Sequence, residues 1–178
     1  MTIQLKLKNS EEVVVIDNYV YDYLSTEPYL AKIDIVNQLR MHSSGCAFFQ
    51  KAWTLPDKKG YTTETIYLHK LIAEKWLSDT KTADKRLVGT TNGDKLDCRV
   101  ENLAYRTRSV ASRQRKTTSD TGYTGVYREN SKFRAVISNK GKTLHLGMFN
   151  TADEAAIAYN VKSAELFGEE GKINKIRK

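Results

Sequence analysis

Lys132-Phe-Arg-Ala-Val-Ile-Ser-Asn-Lys-Gly-Lys-Thr-Leu-His-Leu-Gly-Met-Phe149 reads as two strands joined by a tight turn. Phe133, Ala135 and Ile137 alternate with Arg134, Val136 and Ser138. Leu144, Leu146 and Met148 then alternate with Thr143, His145 and Gly147. Side chains of a strand point to opposite faces in turn, so this spacing predicts a sheet with one apolar and one polar face. Between the two runs, Asn139-Lys-Gly-Lys142 is a turn in which Gly141 can take positive φ without steric cost.

Working outward, Gly125-Val-Tyr-Arg128 begins a further strand and residues 129–131 turn it back. On the other side, Thr151-Ala-Asp-Glu154 is a capping box: the Thr151 hydroxyl accepts from the Glu154 backbone N–H and the Glu154 carboxylate reaches back. It starts a helix over 152–167 that stops at Gly168, a favourable C′ residue. Ala155, Ala156, Ala158 and Ala164 bring that helix close to the sheet, and Tyr159 and Phe167 supply bulk. One helix covers one sheet face, and the other face stays open to a partner.

The first 115 residues read less clearly. Residues 3–7 and 13–16 are strand-like, 19–24 carry a helical turn or two, 47–53 and 65–68 read as strands around a turn at 56–60, and 69–77 have helical spacing at Leu71, Ile72, Trp76 and Leu77. Residues 86–91 form a strand running into the turn signal Asn92-Gly93-Asp94, and 107–115 form a short helix. Lys116 to Gly122, rich in Thr, Ser, Asp and Gly, reads as a linker.

Composition narrows the function classes. A chain of 178 residues holds one medium domain or two small ones. Its net charge of +8 favours a polyanionic partner through phosphate neutralisation and argues against a DNA mimic, which needs an acidic surface. No apolar run approaches a membrane span, so no membrane partner is expected. Cys46 and Cys98 are isolated, and His42, His69 and His145 are scattered, which excludes a zinc spacing and suits reduced thiols in a cytoplasmic protein.

Thr121-Gly-Tyr-Thr-Gly-Val-Tyr127, Lys132-Phe-Arg-Ala135, His145-Leu-Gly-Met-Phe149 and Thr151-Ala-Asp-Glu-Ala-Ala-Ile-Ala-Tyr159 resemble, in order, the blocks of an AP2 DNA-binding domain. The resemblance implies that the open sheet face lies in the major groove. That face carries Tyr127, Arg134, Val136, Ser138, Thr143 and His145, with Arg128, Lys132 and Lys142 at its edges. Arg134 suits a bidentate contact to guanine, and Lys132 and Lys142 suit phosphates. His145 stands where the family often has Trp. Thr124, Tyr127, Val136 and Ser138 stand where charged readers are common.

Val88-Gly-Thr-Thr-Asn-Gly-Asp-Lys-Leu-Asp-Cys-Arg-Val-Glu-Asn-Leu103 resembles the core of an HNH homing endonuclease, together with Glu64-Thr-Ile-Tyr-Leu-His-Lys-Leu-Ile72 and Thr107-Arg-Ser109. Such a core reads Val-Asp-His-x-Asn-Gly-Asp-x-Leu-Asp-Asn-Arg-x-Glu-Asn-Leu. The resemblance implies a metal-binding Asp at Gly89, a general-base His at Thr90 and a metal-binding Asn at Ala111, so three positions have lost their groups. The supporting Asn remains as Asn102. Loss of a general base alone costs on the order of a hundred- to ten-thousandfold in rate. Asp94, Asp97 and Glu101 are expected to hold the loop, and His69 to be packed rather than catalytic. A basic run, Arg106, Arg108, Arg113, Arg115 and Lys116, remains to grip phosphates.

The expected fold class is α+β. A degenerate HNH module of the ββα-metal type covers 1–115 and a linker 116–121. An AP2 module, three antiparallel strands on one helix, covers 122–178. The expected function is sequence-specific binding of double-stranded DNA without nuclease activity, as a transcriptional regulator in a bacterium, phage or mobile element, with no catalytic residue, metal or cofactor. Two alternatives are a weak metal-dependent nicking enzyme with a relocated site, and an anti-repressor or inhibitor that binds a protein partner through the same scaffold.

Overall fold

The computed structural model describes residues 1–56, 59–115 and 117–176. The fold is mixed α and β with small antiparallel sheets, as the class α+β requires. It divides into two compact units, Met1–Arg108 and Ser109–Lys178. The division falls within a short helix, ahead of the linker expected at 116–121. Lys116, in that linker and in the basic run, lies outside the described residues, as do Asp57 and Lys58 in the expected turn at 56–60. No helix among the described residues is long and apolar enough to cross a membrane.

The first unit runs β1 (Thr2–Lys6), β2 (Val13–Asp17), α1 (Asn18–Thr26), α2 (Pro28–Lys32), α3 (Ile35–Gln38), β3 (Arg40–Met41), β4 (Ala47–Thr54), β5 (Tyr61–Tyr67), α4 (Leu68–Trp76), β6 (Lys85–Thr90) and β7 (Leu103–Thr107). β1 and β2 pair from Thr2 with Asp17 to Lys6 with Val13, which sends Val14 and Ile16 into the core. Helix α1 adds Val20 and Leu24 and α4 adds Leu68 and Ile72, each pair one turn apart and wholly buried. Trp76 closes one side of this core, with Tyr19 and Tyr23 edge-on to its indole at 5.6 and 5.3 Å. β4 and β5 form a long hairpin with β3 at the β4 edge, and Leu55 N donates to Gly60 O at 2.9 Å across its tip. Helices α2 and α3 fill a stretch whose sequence has no clear period. The start of α2 is nevertheless marked: Pro28 takes its first position and the Glu27 carboxylate accepts from Leu30 N at 2.8 Å.

His69 sits in the first turn of α4, packed edge-on against Tyr67 with ring centroids 5.9 Å apart. Its Nδ1 is buried without a hydrogen-bond partner among the described residues. Burial first, and then the charges of Lys70 and Lys95, hold its pKa down from the usual 6.5 to about 4. The unfolded chain takes up this proton near 6.5 and the folded chain only near 4. Between those values the unfolded state binds more protons, so stability falls as pH drops through that window. His69→Phe keeps a ring against Tyr67 and removes the proton. The urea midpoint of this variant, followed by tryptophan fluorescence, is expected to fall less than the parent's as pH drops from 6.5 to 4. Equal falls in both proteins would refute the assignment.

The second unit holds most of α5 (Arg108–Arg113), then β8 (Val126–Glu129), β9 (Lys132–Asn139), β10 (Lys142–Phe149) and α6 (Ala152–Phe167). Its sheet has the order β10-β9-β8, all antiparallel. The turn from β9 to β10 places Lys140 at φ 49° and Gly141 at φ 78°. Two successive positive values give the turn a hand that matches the strand twist. The capping box of α6 is complete: Thr151 Oγ1 accepts from Glu154 N at 3.2 Å, and Glu154 Oε2 accepts from Thr151 N at 3.3 Å. Ala155 and Ala156 of α6 are buried against Val126 and Ala135 of the sheet, and Tyr159 of the same helix is buried as well. Ala164, expected at that contact, is exposed. The buried residue on its turn is Ser163, which the helical period brings below Tyr159.

The alternation expected along β10 fails at one place. Thr143 pairs with Ser138, Leu144 with Ile137 and His145 with Val136, but Gly147 is the next to pair, with Ala135. Leu146 is an extra residue in a β-bulge, and it still packs against the core cluster. The insertion reverses parity, so Gly147 moves to the helix side and Met148, opposite Arg134, moves to the open face, 42% exposed. Gly147 takes φ 132°, a value that favours glycine.

Candidate nucleic-acid interface

Paired residues in an antiparallel sheet share a face, so the register of the second unit determines which side chains stand together. Tyr127 pairs with Arg134, Glu129 with Lys132, Thr143 with Ser138, His145 with Val136 and Met148 with Arg134. These residues make the face that α6 does not cover. Tyr127, Arg134, Ser138, Thr143 and His145 are thus brought together, as the alternation predicts, and Lys132, expected at the edge, shares their face. Arg128 pairs with Phe133 and Lys142 with Asn139, both on the helix side of the sheet, so neither shares the face of Arg134. They stand exposed at its margins.

Two members of the face were not expected there. Met148 arrives through the bulge, for which a glycine inside a strand is the available signal. Glu129 arrives by pairing with Lys132, and its Oε2 lies 3.2 Å from Arg134 Nε without hydrogen-bond alignment. The Arg134 guanidinium also lies 5.9 Å from the centre of the Tyr127 ring. Both contacts are exposed, so each contributes little to stability. Their effect is to orient the guanidinium above the middle strand, with its terminal nitrogens free of ion pairs among the described residues.

The start of β8 depends on the chain's last described segment. Asn174 Oδ1 accepts from Thr124 N at 2.7 Å and Asn174 Nδ2 donates to Thr124 O at 3.0 Å. Asn160 of α6 in turn bonds the Asn174 backbone, donating to its O at 2.9 Å and accepting from its N at 2.7 Å. Thr124, which stands where charged readers are common in the family it resembles, is therefore held by its backbone. Neither asparagine stands out in the sequence, because Asn174 lies 14 residues from Asn160 and 50 from Thr124.

The members of the basic run have different surroundings. Arg108 and Arg115 are exposed. The Arg113 guanidinium lies on the Phe167 ring, 3.9 Å from its centre, and Arg113 Nη1 donates to Ser109 Oγ at 3.0 Å. It works as packing within the second unit rather than as an open cation. Arg106 lies in the first unit, on β7, and donates from Nη2 to Thr90 O at 2.9 Å.

The loop between β6 and β7 is held by its own polar groups. Asn102 Oδ1 accepts from Asn92 N at 2.9 Å and Asn102 Nδ2 donates to Asp97 O at 2.7 Å, so this buried side chain ties the two ends of the loop together. Arg99 makes a two-pronged contact to Asp97, Nε to Oδ1 at 2.8 Å and Nη2 to Oδ2 at 2.7 Å, and reaches Glu101 Oε1 at 2.6 Å. The Arg99 bonds hold the Asp97 carboxyl below the usual carboxylate range. Asp94 Oδ1 accepts from Leu96 N at 2.9 Å. The loop also docks on β2, where Val15 N donates to Leu96 O and Cys98 N to Val15 O, each at 2.8 Å. Burial pushes the Cys98 thiol up to about 12.

Gly89 and Thr90 lie at the end of β6, and Ala111 lies in α5 in the second unit. A divalent cation does not suit the residues present at the first two. Gly89 offers no side-chain donor, and a Cβ built there would meet Arg106 Cδ at 3.3 Å and Nε at 3.4 Å. A guanidinium thus lies beside the strand where the resemblance puts a metal ligand. Asp97 and Glu101 are engaged by Arg99. Among the described residues no group of three His, Cys, Asp or Glu side chains is placed to hold a metal ion.

No family model matches the chain. No curated protein matches it either.

Proposed function

We propose that this chain binds double-stranded DNA without cutting it, with the open sheet face of the second unit in the major groove. The observation that carries the proposal is the company on that face: Lys132 and Arg134 on the middle strand, hydrogen-bonding groups at Ser138, Thr143, Tyr127 and His145, and apolar contacts at Val136 and Met148. This set matches what a groove presents. Arg134 suits the two acceptors of guanine, Lys132 suits a phosphate, and Val136 and Met148 suit a thymine methyl group. A net charge of +8 supports the long-range attraction. The resemblance to AP2 and HNH proteins agrees with this, and the lost groups at Gly89, Thr90 and Ala111 argue for binding without hydrolysis. The simplest role is a sequence-specific regulator of transcription.

Selection of bound duplexes from a random pool, followed by titration on the selected site, tests the proposal. Arg134→Ala is expected to weaken binding to that site by about tenfold or more and to relax the preference at one base pair. Affinity is expected to fall steeply with salt. Absence of duplex binding at low salt, or metal-dependent cleavage of the bound DNA, would overturn it.

A further inference from the structure

We infer that Arg106 is an anchored cation of the first unit, beside the position where the HNH resemblance implies a metal ligand, and that its ligand is a backbone phosphate of bound DNA. The inference rests on the DNA-binding proposal and adds a second contact site on a different unit.

Three observations carry it. First, the Arg106 side chain lies along Gly89, where any Cβ would come within 3.3 Å of it. Gly89, where the resemblance implies a metal ligand, is therefore also the residue against which the guanidinium lies. Second, among the described residues the guanidinium is held by one hydrogen bond, from Nη2 to Thr90 O at 2.9 Å. A guanidinium has five N–H donors, so this leaves most of the fork for a phosphate. Third, Arg106 has no carboxylate within ion-pair distance among the described residues, whereas Arg99 is taken by Asp97 and Glu101 and Arg134 faces Glu129. A half-buried guanidinium that is pinned and has no counter-ion is poised for an external anion.

Charge accounting agrees. One carboxylate with one divalent ion carries a net +1, as does a guanidinium. The two differ in what they do to water. A metal lowers the pKa of a bound water and presents it as an attacking hydroxide, whereas a guanidinium only donates hydrogen bonds to phosphate oxygens. A guanidinium thus grips the backbone without the means of cutting it. A partly immobilised side chain also gives up less rotamer freedom on binding than an extended lysine would.

The test uses the full chain and a long mixed-sequence duplex, with affinity measured across a salt series. Arg106→Ala is expected to weaken binding about tenfold, and to lower the slope of log affinity against log salt by about one. The loss is expected to be the same on any sequence, because a phosphate carries no sequence information. Gly89→Leu keeps every charge but occupies the space of the guanidinium. The three atoms nearest a Cβ at this position all belong to the Arg106 side chain. It is expected to weaken binding in the same way. Thermal melts of both variants check that they are folded, and Arg134→Ala serves as a control on the other unit. If Arg106→Ala and Gly89→Leu bind as the parent does while Arg134→Ala weakens binding, this inference fails and the proposed function stands. If only Arg106→Ala weakens binding, the placement on Gly89 is overturned. If the parent binds no duplex, both fall together.

Discussion

Gly125→Ala is expected to destabilise the second unit severely. Gly125 sits just before β8 at φ 74°, and a Cβ there would lie 2.4 Å from two ring carbons of Tyr159 and 2.4 Å from the Val136 carbonyl oxygen. The left-handed backbone alone costs an alanine about 1–2 kcal/mol. The steric conflict costs more, because neither neighbour can yield cheaply. Tyr159 is a core residue of the helix–sheet contact. Val136 belongs to the middle strand, and its N donates to Gly125 O at 2.8 Å, so moving it would break the first link between β8 and β9. Adding an overpacking cost of about 1–3 kcal/mol brings the expected loss to roughly 4 kcal/mol, a large share of a small unit's stability. Urea denaturation followed by far-UV circular dichroism reads this loss. Both tryptophans, Trp53 and Trp76, lie in the first unit, so the fluorescence transition is the internal control. A folded variant with a parent-like midpoint would refute the close approach of β8, β9 and α6 at this residue.

Asn174→Ala is the second large effect, expected at about 3 kcal/mol. The side chain is 7% exposed and bonds both the N–H and the C=O of Thr124. Alanine leaves both backbone groups without partners in a part-buried setting, at about 1–3 kcal/mol each. Asn174→Asp is expected to recover only part of the loss: its carboxylate can still accept from Thr124 N but faces Thr124 O without a donor. The same dichroism transition measures both variants, and an unchanged midpoint for Asn174→Ala would dismiss the clamp. Since Thr124 and Gly125 are neighbours, the two substitutions act on one turn and their combined cost is expected to fall short of the sum. Losing that turn would also release Tyr127 from its register opposite Arg134, so each variant is expected to impair the open face as well as stability.

Much of the second unit was legible because its signals are local. The period of two in β9, the turn at Asn139 to Lys142 and the capping box at Thr151 each involve residues within a few positions of one another, and all are present. From these signals follow a sheet covered on one side by a helix and the grouping of Tyr127, Arg134, Ser138, Thr143 and His145. The apolar turn spacing of α4 and the turn at Asn92 to Asp94 were legible for the same reason. Helices α2 and α3 were not, because segments of five and four residues are too short to show a period.

What lay beyond the sequence was every feature made by distant partners or by one extra residue. Alternation could not say that Leu146 would be spent in a bulge and Met148 turned toward Arg134, because the period carries no record of where a pairing slips. A run of arginines could not say that Arg113 would lie on Phe167, that Arg99 would be occupied by Asp97 and Glu101, and that Arg106 would rest on Gly89 without a counter-ion. Residue type establishes that a side chain is charged. Whether that charge is paired, buried or left facing solvent depends on which atoms the folded chain brings within a few ångströms of it, and only the tertiary structure decides that.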